Sequence, residues 1–190
     1  MRHFVVRSHD LAAGADVSLD DLPGAGRLDL LSRCVTSALL CSHDSALVVD
    51  GYVVGFDGSK LRRLNPDERS TAARIRDALA AREGAIGSMA ARPSPGVSIR
   101  QGTLESLLGG LDAGTTLLEL HADGRPVVER APPEAPVFVL SDHREFTDAE
   151  AEFLESAADD RVSLGPEALH ADQAITVAHN YLDTDGYTEY

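Results

Sequence analysis

No apolar run in this chain approaches the ~20 residues of a helical membrane span, so the sequence predicts no membrane segment. The opening Met1-Arg2-His3-Phe4-Val5-Val6 lacks the layout of a secretory signal and leads directly into a strand pattern, and the expectation is a cytoplasmic protein. Cysteine is nearly absent. The two present, Cys34 and Cys41, share one expected helix. Their spacing is about 10 Å of helical rise, beyond disulfide reach, which marks them as reduced core residues. Tight zinc-ligand spacing is also missing, since His121, His143, His170 and His179 stand apart, so no metal site is expected. There is no Walker A string and no GxSxG elbow, and His170-Ala171-Asp172 has no serine in a nucleophile context to serve. Internal repeats are absent too.

Lysine is scarcer than cysteine. Of seventeen basic residues only Lys60 is lysine, against thirty-one acidic ones, for a formal net charge of −14. Such a surface repels phosphate, and phosphate contacts supply most of the affinity of a nucleic-acid binder. Either the partner is not nucleic acid, or the protein works at high internal salt. At ~1 M salt the Debye length falls to about 3 Å and self-repulsion fades. Abundant carboxylates with almost no lysine fit that second case, a halophilic host. The distribution of charge agrees. Gly58 to Arg82 carries seven basic residues, among them Lys60, Arg62, Arg63 and Arg69, and three acidic ones, so the segment is +4 and the remainder −18. A basic island in an acidic chain is either a solvated helix face or a contact for an anionic partner.

What is present is an ordinary globular pattern. Apolar content of 43% over 190 residues fits a single domain, 1–190, with a sizeable core. Apolar runs predict strands at 2–7, 45–49, 52–56, 97–99, 115–120 and 136–140, and Asp50-Gly51 predicts a hairpin. Helical periodicity appears over 27–42, 104–111 and 147–157, the last opened by Thr147 with Glu150 three residues on. The clearest helix follows Asn65-Pro66: Asn65 is the expected cap, Pro66 the first helical residue, and Glu68 the partner in a capping box. Pro93–Gly96 and Ala122–Arg125 read as turns, and the tail from Thr184 as frayed. Strands alternating with helices predict an α/β fold with a mostly parallel sheet.

The stretch from Val162 to Asp183 organises the chain. Val162, Ser163 and Leu164 end a strand, Gly165 offers a backbone that a Cβ would resist, and Pro166 stops the strand. From Asp172 onward Ala174, Ile175, Ala178 and Leu182 form one helical stripe, with Asp172 placed where a negative charge suits the dipole. Just upstream, Pro136–Leu140 reads as a strand buried on both faces, ending in Ser141-Asp142-His143. In open α/β sheets ligands collect at the carboxyl ends of such strands, so both ends are expected to share one crevice. Two ordinary βα loops are the plainer alternative.

The strings FVLSDH, VSLGPEALHADQAITVAHNYLD, DGSKLRRLNPDERSTAARIRDAL and the opening MRHFVVRSHD, in that chain context, closely resemble one family. It is the archaeal tRNA pseudouridine N1-methyltransferases of the knotted SPOUT superfamily, which act on pseudouridine 54 in the T arm. NPDERS and SLGPxxLHAD are its most specific strings. The resemblance implies a SPOUT-type sheet flanked by helices with a C-terminal trefoil knot, the knot and cofactor region covering about 135–185. It also implies a homodimer, S-adenosylmethionine as cofactor and the tRNA T arm as partner. By the same resemblance Leu140, Ser141 and Asp142, then Leu164 and Gly165, then Leu169 and Ala174, surround the cofactor. Relatives often carry cysteine where Ala174 stands, so a thiol there is not required of this chain. Asp57 is the candidate acceptor for the N1 proton, with a turn-capping aspartate as the alternative. Arg62 is the candidate to stabilise the developing uracil anion, and Lys60, Arg62, Arg63 and Arg69 are the candidate RNA contacts. The alternatives are methylation of a ribosomal-RNA pseudouridine, or a non-catalytic RNA-binding knot protein.

Overall fold

In the computed structural model, which describes residues 2–14, 16–40, 44–61 and 67–189, strands and helices alternate as the apolar runs predict. The order is β1 (His3–Ser8), α1 (Leu28–Leu40), β2 (Asp44–Val49), β3 (Tyr52–Phe56), α2 (Gly58–Leu61), α3 (Glu68–Ala80), β4 (Ala91–Ser94) and β5 (Val97–Gln101). It continues with α4 (Leu104–Leu108), β6 (Thr116–Pro126), β7 (Pro136–Ser141), α5 (Asp148–Ala157), β8 (Asp160–Ser163) and α6 (Ala171–Asp183). The strands form one sheet in the order β4-β5-β3-β2-β1-β7-β6-β8. From β2 through β1, β7 and β6 to β8 every pairing is parallel. Beyond β2 the pairings are antiparallel. Asp50 and Gly51 cause the switch, since their positive φ angles of 43° and 80° make the tight hairpin whose twist matches its strands.

Alternation along the strands divides the core between the two faces of the sheet. Phe4 and Val6 of β1, Leu47 of β2, Val54 of β3 and Phe138 and Leu140 of β7 pack with α1, α3 and α6. The opposite residues, Val5, Val48, Val53, Val137 and Val139, pack with α4 and α5 around Leu104 and Leu154. A sheet covered on both sides needs continuous apolar strands, and β7 is buried from Pro136 to Leu140.

Four local expectations need correction. The α3 cap is Asp67, not Asn65, and its capping-box partner is Ser70, not Glu68: Asp67 Oδ1 accepts from Ser70 N at 2.7 Å, and Ser70 Oγ accepts from Asp67 N at 3.1 Å. Cys41, Arg62, Arg63, Asn65 and Pro66 lie outside the described residues. The stretch Pro93–Gly96 is half strand, because β4 continues to Ser94 before turning. Ala122–Arg125 is no simple turn. Leu120 and Arg125 both stand opposite Val162, so the residues between them bulge from a strand that continues to Pro126. The tail is not frayed either, for Gly186 N donates to Tyr181 O at 2.8 Å and the Tyr187 ring meets Tyr181 at 5.9 Å.

Candidate functional site

A cleft opens where β7 and β8 end beside the middle of β6. Leu120, His121 and Ala122 of β6, Leu140 and Ser141 of β7 with the following Asp142, and Val162 and Ser163 of β8 form its floor and sides. The β8–α6 loop and the first turn of α6 close it, through Leu164, Gly165, Leu169 and Ala174. All seven residues expected around the cofactor therefore line one cleft. Leu140, Val162 and Ala174 are buried beneath it, whereas Leu169 is 39% exposed at its rim. An apolar side chain of that size at a cleft mouth can be covered by a flat apolar ring. The loop from Leu164 to Leu169 belongs to no strand or helix, so its amides and carbonyls are outside those ladders. Apolar walls, backbone polar groups and the carboxylate of Glu167 suit a ligand with an aromatic base, a ribose and a cationic end.

The expected strain at Gly165 is absent. A Cβ built there would meet only Glu167 O, at an ordinary 3.9 Å, and its φ is outside the left-handed region. A glycine that the geometry does require beside the cleft is Gly124, whose Cβ would lie 2.4 Å from the Val162 carbonyl carbon. That close approach lets β6 bulge past β8, and the bulge turns His121 and Ala122 into the cleft.

A network of charged side chains fixes the corner after β7. The register of β1 with β7 sets Arg7 opposite Ser141, so Ser8-His9-Asp10 emerges beside Ser141-Asp142-His143. Asp142 Oδ2 accepts from His9 N at 2.8 Å and Asp142 Oδ1 from Arg144 N at 3.0 Å. The His9 ring bridges two carboxylates, with Nδ1 at 3.1 Å from Asp142 and Nε2 at 2.9 Å from Glu150. Glu150 also binds the Arg7 guanidinium and accepts from Thr147 N at 2.9 Å. Burial raises the Glu150 carboxyl, but Arg7, His9 and Thr147 outweigh it and hold the group down at about 2. At the surface Asp10 takes His143 Nε2 and Arg144 Nε, both at 2.8 Å. Partial desolvation pushes Asp10 up, and the bonds to Arg144 and His143 bring it below the usual carboxylate range. Sequence reasoning missed this network. Its signal was available in the Ser-His-Asp and Ser-Asp-His ends of two strands that a parallel sheet can place side by side.

The other candidates lie elsewhere. Asp57 follows Phe56, which is linked across the ladders to Ser45, Phe4 and Phe138, near the starts of β2, β1 and β7. The cleft is at their other ends, and three strand spacings add about 14 Å sideways. Within one chain, then, Asp57 is not brought to the cleft. Its carboxylate receives Lys60 Nζ at 2.6 Å and Ser59 N at 3.1 Å. Lys60 first, then Ser59, lowers it to about 2, which makes it a poor proton acceptor and a good cap for α2. Arg69 is exposed on α3, donating to Leu19 O at 3.1 Å and Asp20 Oδ1 at 3.2 Å. Arg62 and Arg63 are outside the described residues.

Comparison with known proteins gives a consistent result. A family model described as "Putative SAM-dependent RNA methyltransferase" matches residues 1–187. A protein of Natronomonas pharaonis named tRNA (pseudouridine(54)-N(1))-methyltransferase is 60% identical, with all of both chains covered. One of the same name from Haloferax volcanii is 59% identical, again over all of both chains. Among solved structures, Archaeoglobus fulgidus Nep1 bound to S-adenosylhomocysteine superposes with a TM-score of 0.62. That match covers 96% of this chain and 97% of the other at 13% identity, a likeness of fold alone.

Proposed function

The chain belongs to the tRNA (pseudouridine(54)-N(1))-methyltransferase family, and from that premise we propose that it methylates N1 of pseudouridine 54 in the T arm of tRNA. The observation that carries the reading is the cleft, where two strand ends and a helix start bring all seven expected cofactor residues together. S-adenosylmethionine, when bound, supplies a methyl group already activated on a sulfonium. The protein has then to bind, orient and exclude water. Leu140, Leu169 and Ala174 would hold the adenine between apolar surfaces. Ser141, Leu164 and Gly165 would supply polar backbone and hydroxyl groups, and Asp142 keeps the corner in place through His9 and Arg144. Lys60, Arg62, Arg63 and Arg69 would contact the RNA, with Asp57 fixing the direction of Lys60.

The same reading includes a homodimer that covers the cleft rim, a C-terminal trefoil knot, and work in the cytoplasm. The packing of α6 on the connection before β7, where Tyr181 Oη donates to Arg130 O at 2.9 Å, is consistent with such a knot. Among the described residues no helix is long and apolar enough to cross a membrane. The test is transfer of labelled methyl, in molar KCl, to T-arm RNA carrying pseudouridine or uridine at position 54 and to a pseudouridine-bearing ribosomal hairpin. Label should enter the first alone, and labelling of the hairpin in its place would overturn the substrate assignment.

A further inference from the structure

Methylating N1 requires the loss of its proton, and as that proton leaves, negative charge spreads onto the uracil carbonyl oxygens. Arg62, expected to meet that charge, lies outside the described residues, and within one chain neither Asp57 nor Lys60 is at the cleft. Arg144 is. It is the one Arg or Lys lining the cleft among the described residues. It stands on the rim beside the Asp142 corner, and its side chain is 61% exposed.

Its guanidinium is aimed, not loose. Nε is fixed by Asp10 Oδ1 at 2.8 Å, and its own backbone N–H is fixed by Asp142 Oδ1 at 3.0 Å. Asp10 is in turn held by His143 at 2.8 Å, Asp142 by His9 at 3.1 Å, and His9 by Glu150 at 2.9 Å. With His143 Nδ1 at 3.7 Å from Asp142 Oδ1, a chain of alternating carboxylates and imidazoles runs from α5 to the rim and ends in this one guanidinium. No hydrogen bond from its terminal Nη atoms is present among the described residues, so the two outer donors of the fork are available. Three groups of the chain (His9, Asp142 and Glu150) are largely buried, an arrangement that holds a dipole in advance of the reaction.

Resting on the methyltransferase reading, we propose that Arg144 is a catalytic residue whose guanidinium stabilises the uracil anion of the target base, with Asp10 as its positioning residue. In the step the N1–H bond breaks and its proton passes to water. The N1–CH3 bond forms with the nitrogen electron pair, and the methyl–sulfur bond breaks with its pair left on sulfur. The cation acts on the oxygen that gains charge and takes no part in the bond changes.

The test is single-turnover methyl transfer to the pseudouridine T-arm RNA in 2 M KCl, alongside calorimetric titration with S-adenosylhomocysteine. Arg144→Gln should slow the transfer about a hundredfold, the usual effect of losing one such donor. Its affinity for S-adenosylhomocysteine should stay within about threefold and its melting temperature unchanged, since an exposed rim side chain carries little fold energy. Its rate should also keep rising to higher pH than the wild type's, because the base must now ionise unaided. Arg144→Lys should recover part of the rate, and Asp10→Asn should lower it less than Arg144→Gln does. An unchanged rate in Arg144→Gln would overturn the proposal. An affinity loss equal to the rate loss would overturn it too, by placing Arg144 on the carboxylate of the cofactor. Wild-type protein that binds S-adenosylhomocysteine yet transfers nothing would instead defeat the methyltransferase reading beneath it.

Discussion

Glu150 shows how single residues connect the fold to the site. It caps its own helix through Thr147, pairs with Arg7 of β1 and braces His9 against Asp142, so one carboxylate ties α5 to the cleft corner. Its folded value of about 2 lies below its ordinary 4.5. A carboxyl lowered on folding contributes stability above about 4.5, and that contribution is lost as pH falls from 4.5 towards 2. The displacement corresponds to about 3 kcal/mol as an order of magnitude. Glu150→Gln should therefore destabilise the protein by roughly 2–3 kcal/mol at pH 7, leaving the half-buried Arg7 without its carboxylate partner. Denaturant titrations at pH 7 and pH 3 check this, because the gap between variant and wild type should narrow at the lower pH. The Thr147–Glu150 capping box was legible in the sequence, three residues being enough to specify it. The role of Arg7 and His9 was not, since it depends on β1 lying beside β7, a contact across more than a hundred residues of chain.

Helical periodicity, a local pattern, was read correctly, although the cap of α3 was not. The α6 stripe is buried at Ala174, Ile175 and Ala178 and partly buried at Leu182. Reading failed where tertiary packing decides. The β6 bulge looks like a turn because Ala122-Asp123-Gly124-Arg125 has turn residues, yet β8 beside it keeps the chain extended. The tail looks like a polar end, although Tyr181 and Tyr187 pack it back on α6. Gly165 was credited with a strain that belongs to Gly124. Gly124→Ala should accordingly destabilise the protein by more than the roughly 1 kcal/mol of a simple propensity change, because backbone of β6 or β8 must shift to relieve the clash. Gly165→Ala should leave stability nearly unchanged. Thermal melts of both variants in 2 M KCl test the pair, and a more damaging change at 165 than at 124 would contradict the geometry.

The whole molecule carries a formal −14, and its ion pairs are arranged around that surplus. Arg33 of α1 alone meets Asp29 at 3.2 Å, Glu68 of α3 at 3.3 Å and Asp172 of α6 at 3.2 Å, gathering carboxylates from three helices. Surplus carboxylates such as Glu152, Glu155 and Asp159 border one acidic hollow near α5. Screening should relieve their repulsion, so the melting temperature should rise between about 0.1 and 2 M KCl, where the Debye length falls from about 10 Å to under 3 Å. A level or falling value would count against the high-salt reading, which the mostly halophilic sources of the relatives support. Lys60 and Arg69, of the proposed RNA contacts, do not line the cleft proposed for the cofactor, and this separation makes the central claim testable. Titration with S-adenosylhomocysteine in 2 M KCl should show wild-type protein and the Lys60→Ala, Arg69→Ala double variant binding equally well. Gly165→Leu, in which the fold has room for a Cβ but the cleft loses space, should bind at least about tenfold more weakly, a difference of about 1.4 kcal/mol. Full affinity in a folded Gly165→Leu protein, or affinity lost through Lys60 and Arg69, would place the cofactor somewhere other than this cleft.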